Sequence, residues 1–271
     1  MNLEALEAFT FQRDGLALAA YDAGGDGLPV VFQHGLCGDA RQVAEAFPDN
    51  RTFRLVTLEC RGHGRSETDG THSIATFADD VAALITFLGL GPVMIGGISM
   101  GAAIASRLAV KRPELVRGLI FARPAWITET GPKNMQPNAE VGVLLARLSP
   151  DEAQAVFERG ETFSRLSARS PDNLQSLQGF FSREPLAVTA NLLSAIAADG
   201  PGITEAELAA LPIPTLVLGT EEDFIHPLDH AEKLAALIPG AQLEMLTPKA
   251  RDRAAYIADF HRALRTFLQD F

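Results

Sequence analysis

Gly97-Ile98-Ser99-Met100-Gly101 spells G-x-S-x-G between two stretches of different character. Before it, Pro92-Val93-Met94-Ile95-Gly96 is a short apolar run with the length of a buried strand. After it, Ala102 to Lys111 is rich in Ala and Leu and reads as a helix, stopped at Arg112-Pro113. A serine at such a strand–turn–helix junction predicts a sharp, strained turn that lifts its hydroxyl into a cleft. A free serine hydroxyl is a poor nucleophile, so a reactive Ser99 needs partners elsewhere in the chain.

Outward from this point, the pattern alternates. Towards the N-terminus, Ala8–Arg13 and Leu16–Tyr21 flank Asp14-Gly15, a hairpin signal. Pro29–Gln33 reads as a buried strand running into His34-Gly35-Leu36-Cys37-Gly38. A helical segment follows, then the strand Phe53–Glu59 and the loop Cys60-Arg61-Gly62-His63-Gly64-Arg65-Ser66. From Ile74 to Leu88, the residues Phe77, Val81, Leu84, Ile85 and Leu88 make one apolar helical face. A strand over Val116–Ala122 comes after the central helix. Strands alternating with helices predict a parallel sheet covered on both faces.

The rhythm breaks near Arg123. From Pro124 to about Leu208 only helical segments are legible, divided by prolines, and Phe157, Phe163, Phe180, Phe181, Leu192 and Leu193 offer an apolar lining. The alternation resumes with Pro214–Leu218, a helix around Ala231–Leu237, the strand Gln242–Leu246 and a last helix to Leu268. The expected organisation is a core formed by 1–123 and 209–271, with 124–208 inserted as a helical cap.

Composition narrows the function classes. The chain has 271 residues, 47% of them hydrophobic and 21% charged, enough for one large core. Its formal net charge of −11 argues against nucleic acid and anionic membrane surfaces as partners. No apolar run is long enough for a membrane span, and Met1-Asn2-Leu3-Glu4 lacks the character of a secretory signal, so a cytoplasmic enzyme is the expectation. Cys37 and Cys60 form neither a disulfide framework nor a metal-ligand spacing. No dinucleotide-type G-x-G-x-x-G turn appears, so no metal or organic cofactor is expected. The partner implied is a small-molecule substrate, and a homodimer is left open.

With the motifs in this order, the chain resembles the α/β-hydrolase fold family. His34-Gly35-Leu36-Cys37-Gly38 is similar to the family's H-G-x-x-G loop, and Arg61-Gly62-His63-Gly64-Arg65-Ser66 to its R-G-x-G-x-S loop. Gly219-Thr220-Glu221-Glu222-Asp223, followed by Pro227, is similar to the loop that supplies its acid. The resemblance covers nearly all of the chain outside the cap. It implies a mostly parallel eight-stranded sheet with helices on both faces, an inserted helical cap, Ser99 as nucleophile and Asp223 as the acid that orients a base. The backbone N–H groups of Leu36 and Met100 would then form the oxyanion hole.

The base departs from the pattern. In the family a histidine follows the acid by one helix and one strand, and the count from Asp223 lands on Arg251 in Thr247-Pro248-Lys249-Ala250-Arg251. A guanidinium keeps its proton and cannot accept one from Ser99, though it can pair with Asp223 or clamp a carboxylate. Of the six histidines, His226 alone lies on the loop of the presumed acid, and it is the candidate base despite a spacing that looks too close for the usual Asp–His geometry. His34, Trp126 and Arg251 are assigned to the substrate-binding surface, His34 also serving to support its loop. Glu59 is expected to brace the Arg61 loop, and Arg147, Arg159, Arg165, Arg169 and Arg183 of the cap read as solvated.

Two functions follow. The first is a serine hydrolase of a small ester, lactone, thioester or activated C–C substrate, working with a non-standard base. The second is a hydrolase-like fold without hydrolysis, either a ligand-binding protein or a lyase or cyclase using the retained pocket. The cation expected at Arg251 favours the second.

Overall fold

The computed structural model describes residues 1–49 and 52–271. Its eight strands are β1 (Glu7–Arg13), β2 (Leu16–Asp22), β3 (Leu28–Gln33), β4 (Phe53–Leu58), β5 (Val93–Ile98), β6 (Val116–Ala122), β7 (Thr215–Thr220) and β8 (Gln242–Leu246). They form one sheet in the order β1-β2-β4-β3-β5-β6-β7-β8. The β1–β2 hairpin and the β2–β4 pair are antiparallel, and every other pairing is parallel. Asp14 and Gly15 both have positive φ, as the tight turn between β1 and β2 requires.

The central strands β5 and β7 are buried along their whole length because both faces are covered, whereas the edge strand β8 is largely exposed. On one face, Val31, Ile95, Leu119 and Val217 pack in a cluster shared with the helices α2 (Ile74–Phe87) and α3 (Met100–Lys111). On the other face, Val30, Phe32, Met94, Ile98, Ile120 and Leu218 pack with residues of α1 (Ala40–Ala46) and the final helix Arg253–Leu268. Successive strand residues therefore serve opposite cores, as the period of two demands. α2 begins where Ser73 caps the Thr76 N–H at 3.0 Å, one residue before the expected helix starts.

Between β6 and β7 the described regular elements are helical: α4 (Gln136–Leu145), α5 (Pro150–Glu158), α6 (Glu161–Arg169), α7 (Pro171–Gly179), α8 (Leu186–Ala197) and α9 (Glu205–Ala209), with short 3-10 turns. α10 (Leu228–Leu237) follows β7, and α11 (Arg253–Leu268) ends the chain. Phe157, Phe181, Leu192 and Leu193 are buried, and they form the interior of this helical segment rather than a pocket lining. Phe180 alone of the six expected residues lines the cavity beside Ser99.

Candidate active site

Ser99 sits between the last residue of β5 and the first of α3 with φ 56° and ψ −109°. This strained conformation is the turn expected from the sequence. The flanking glycines serve a different purpose from the expected one, for neither has a positive φ. A Cβ on Gly97 would come within 2.6 Å of the Gln33 carbonyl oxygen, and one on Gly101 would collide with that same carbonyl. The glycines let β3 and α3 approach closely, while the serine itself carries the strain. Ser99 N–H is held by Ala122 O at 2.9 Å, and the side chain has no hydrogen-bond partner among the described residues.

The Ser99 side chain lines a cavity of about 100 Å³ together with Leu36, Arg123, Asn138, His226 and Lys249. Leu36, three residues past β3, lines the cavity with Ser99, and Met100 follows Ser99 as the first residue of α3; the candidate donors are their backbone N–H groups. Neither is engaged by another described group. The Leu36 loop is braced from two sides: Gln42 Oε1 accepts the Gly35 N–H at 2.7 Å, and Arg183 of the helical segment donates Nε–H to the Cys37 carbonyl at 3.1 Å. Arg183 also donates to Gly62 O and Thr189 Oγ1, so it ties two core loops to the helices. It is not the solvated residue expected, and neither is Arg165, whose guanidinium lies 4.5 Å from the Phe224 ring centroid.

The acid loop closes the other side. Glu222 has φ 58°, which folds the chain back after β7. The Asp223 Oδ1 atom thereby accepts both the His226 backbone N–H at 3.0 Å and the His226 Nδ1–H at 2.9 Å. Three residues of separation suffice for an Asp–His hydrogen bond because of this turn, contrary to the sequence expectation. With Nδ1–H donated to the carboxylate, Nε2 carries the lone pair. Nε2 has no protein partner among the described residues, and the imidazole lines the cavity containing Ser99. From the helical side, Asn173 Oδ1 accepts the Phe224 and Ile225 N–H groups at 2.8 and 3.0 Å, fixing the loop.

Asp223 is shared. Arg123, which follows β6 with φ 47°, donates Nε–H to Asp223 Oδ2 at 2.7 Å, and its Nη2 lies 2.6 Å from the same oxygen. Nη2 also approaches Asp172 at 3.4 Å, and Lys249 Nζ reaches the other Asp172 oxygen at 2.8 Å. Two cations and two carboxylates thus form a chain through the cavity wall. Burial alone would raise the Asp223 pKa, but Arg123 and His226 outweigh it and hold the carboxyl well below its usual range. Burial lowers the His226 pKa, aided by Arg123 and opposed by Asp223, with a net shift below 6.5. The imidazole is accordingly neutral near neutral pH.

Three assigned site residues lie elsewhere. Arg251 is 61% exposed and pairs with Glu222, so the guanidinium reaches neither Asp223 nor Ser99. The residue of that loop facing the cavity is Lys249, two positions earlier, because Pro248 to Asp252 forms a turn with Arg251 on its outer side. Trp126 is 2% exposed and donates Nε1–H to Asp199 O at 3.0 Å, a packing role in the core. His34 is fully buried, with its Nε2 accepting the Cys60 N–H at 3.0 Å and its Nδ1 bonded to Gly35 O. Desolvation lowers its pKa to about 4, so it is a neutral support for the loop and not a substrate contact. Glu59 braces its loop as expected, accepting the Ala40 N–H and, at 2.6 Å, the Arg65 N–H. Arg123, Asn138, Asp172 and Lys249 were not identified from the sequence. Arg123 and Asp223 stand 100 positions apart, and only the pairing of β6 with β7 makes them neighbours.

A parallel sheet with a strained serine at the β5–α3 turn and an acid loop after β7 defines an α/β-hydrolase architecture. The family model described as alpha/beta hydrolase fold matches residues 29–251, and the chain belongs to that family. The AB hydrolase superfamily protein YisY of Bacillus subtilis is 28% identical over 228 residues, covering 81% of this chain and 83% of that protein. The 2-hydroxymuconate semialdehyde hydrolase of Pseudomonas putida is 29% identical over 234 residues, covering 82% and 79%. Among solved structures, an N-acyl homoserine lactone degrading enzyme superposes with a TM-score of 0.70 at 26% identity, over 95% of this chain and 99% of that one. A thermophilic esterase from Thermogutta terrifontis shares the fold with a TM-score of 0.72 at 24% identity, over 98% of each chain. Among the described residues no helix is long and apolar enough to cross a membrane.

Proposed function

We propose that the chain is a serine hydrolase of small esters, lactones or thioesters, with His226 as the base in place of the histidine usual after the last strand. The observation that carries this reading is the His226 ring, bonded through Nδ1 to Asp223 with Nε2 free in the Ser99 cavity. In the first half-reaction Ser99 Oγ bonds to the substrate carbonyl carbon while His226 Nε2 takes the hydroxyl proton. The carbonyl oxygen becomes an oxyanion held by the Leu36 and Met100 N–H groups, each worth about 3 kcal/mol of barrier in comparable sites. Collapse breaks the bond to the leaving group, which takes the proton from Nε2. Water, deprotonated by Nε2, then attacks the acyl-serine, and collapse breaks the acyl–Oγ bond as Nε2 returns the proton to Ser99 Oγ and the acid leaves. Asp223 orients the imidazole and stabilises its charged form. The hydrolase and esterase names of the relatives support the same reaction class.

A non-hydrolytic use of the pocket is the second reading, favoured by one observation: Lys249 places an ammonium, which has no acceptor, where the loop after the last strand supplies a histidine in the family. Labelling by a fluorophosphonate separates the two. Hydrolysis predicts covalent labelling of the native protein, loss of it in Ser99→Ala and strong slowing in His226→Ala. A native protein that does not label supports the second reading.

A further inference from the structure

Among the side chains lining the Ser99 cavity, the polar ones are nearly all spoken for. Gln42 accepts the Gly35 N–H, and Arg123, Asp172, His226 and Lys249 belong to the ionic chain. Asn173 holds the acid loop, and Ser176 bonds to Asp172 O. Besides Ser99, the exception is Asn138. Its residue is 4% exposed, and its Oδ1 is buried without a hydrogen-bond partner among the described residues. A buried amide oxygen with no partner is destabilising, and native structures rarely keep one without a use.

The group is also rigidly placed. Asn138 lies in the first turn of α4, which packs so tightly on α8 that a Cβ at Gly142 would lie 2.5 Å from Ser194 Oγ. One turn earlier, Asn134 donates to Ala125 O at 2.9 Å and to Ile225 O at 2.7 Å. Ile225 is the residue before His226, so the Asn138 amide and the candidate base are held in one frame. A hydrogen-bonding group on a fixed element beside a reacting centre reads polarity in the substrate.

We infer that Asn138 determines specificity: the site takes a small acyl substrate carrying a hydroxyl or amide close to the reacting carbonyl, and the Asn138 amide binds that group. The cavity of about 100 Å³ suits a compact acyl part. This inference rests on the hydrolase reading for its reaction, but not for its binding.

The test compares α-hydroxy-γ-butyrolactone with γ-butyrolactone, which differ by the one hydroxyl. For the native protein, kcat/KM should favour the hydroxylated lactone by about tenfold or more, and Asn138→Leu and Asn138→Ala should each collapse that ratio towards one. A native ratio near one, or a ratio that survives both substitutions, overturns the inference. Binding of both lactones to Ser99→Ala, followed by ligand-observed NMR, gives the same comparison without turnover. If neither lactone is hydrolysed yet the Asn138-dependent binding preference is present, the hydrolase reading fails and the inference holds. Equal binding of the two lactones overturns it by itself.

Discussion

At the scale of single residues, the site turns on one carboxylate serving two partners. Asp223 binds the His226 ring and the Arg123 guanidinium together, so the charge that would stabilise an imidazolium is partly taken up. His226→Ala should lower kcat by about a hundredfold or more, with the circular dichroism spectrum unchanged, because a positioned base contributes at least that much. The base works when neutral, and burial with Arg123 puts its pKa below 6.5. The acidic limb of kcat/KM should therefore have its midpoint below 6.5, with a plateau at neutral pH. Removing Arg123 as Arg123→Gln takes away a cation that opposes ring protonation, so the limb should move to higher pH; a limb that stays or moves lower contradicts the coupling. Arg251→His, on the exposed turn, should change turnover by less than about twofold in the same assay, since surface substitutions away from special features do little.

At the scale of elements, the strained serine depends on how closely α3 is pressed to β3. Gly97 and Gly101 remove the side chains that would hold the two apart. Gly101→Ala should therefore cost about 1–3 kcal/mol in urea denaturation, as overpacking does, and should displace the Met100 N–H with the helix. A variant as stable as the native protein would show that the contact relaxes freely. The same packing explains why the motif was legible: G-x-S-x-G is a steric requirement of adjacent residues, and β5 and α3 appear within two residues of where apolar run and helix propensity place them. The acid loop was only half legible. Asp223 follows from its place after a late strand, but the fold-back at Glu222 that brings His226 to it is a backbone choice no side-chain pattern announced.

At the scale of the molecule, the helical segment is joined to the sheet by charge across the cavity. Asp172 on α7 meets Arg123 at the end of β6 and Lys249 after β8. A wider cleft of about 570 Å³ on the outer side is also lined by Asp172, Ser176 and Lys249, so the pair stands between that cleft and the serine chamber. Asp172→Asn should loosen this closure and raise KM by on the order of tenfold, the loss of one charge-assisted hydrogen bond, with a smaller effect on kcat. Steady-state kinetics at low and high salt check it, and an unchanged KM would mean the bridge plays no part in substrate entry.

The sequence by itself determined what depends on neighbours along the chain. Strand and helix periods, the β1–β2 turn, the glycine-flanked serine and the break in alternation after Arg123 all follow from residues a few positions apart. It also placed His226 beside the acid, without the fold-back that lets the two side chains meet. The tertiary structure alone decided which residue of Thr247–Arg251 faces the cavity, since Pro248 starts a turn that sends Lys249 inward and Arg251 out to Glu222. It alone paired Arg123 with Asp223 and left Asn138 Oδ1 without a partner among the described residues. Those outcomes depend on which strands become neighbours and on how the helices close over them. Charge pairing and burial are properties of three-dimensional proximity, and periodicity along a chain carries no record of them.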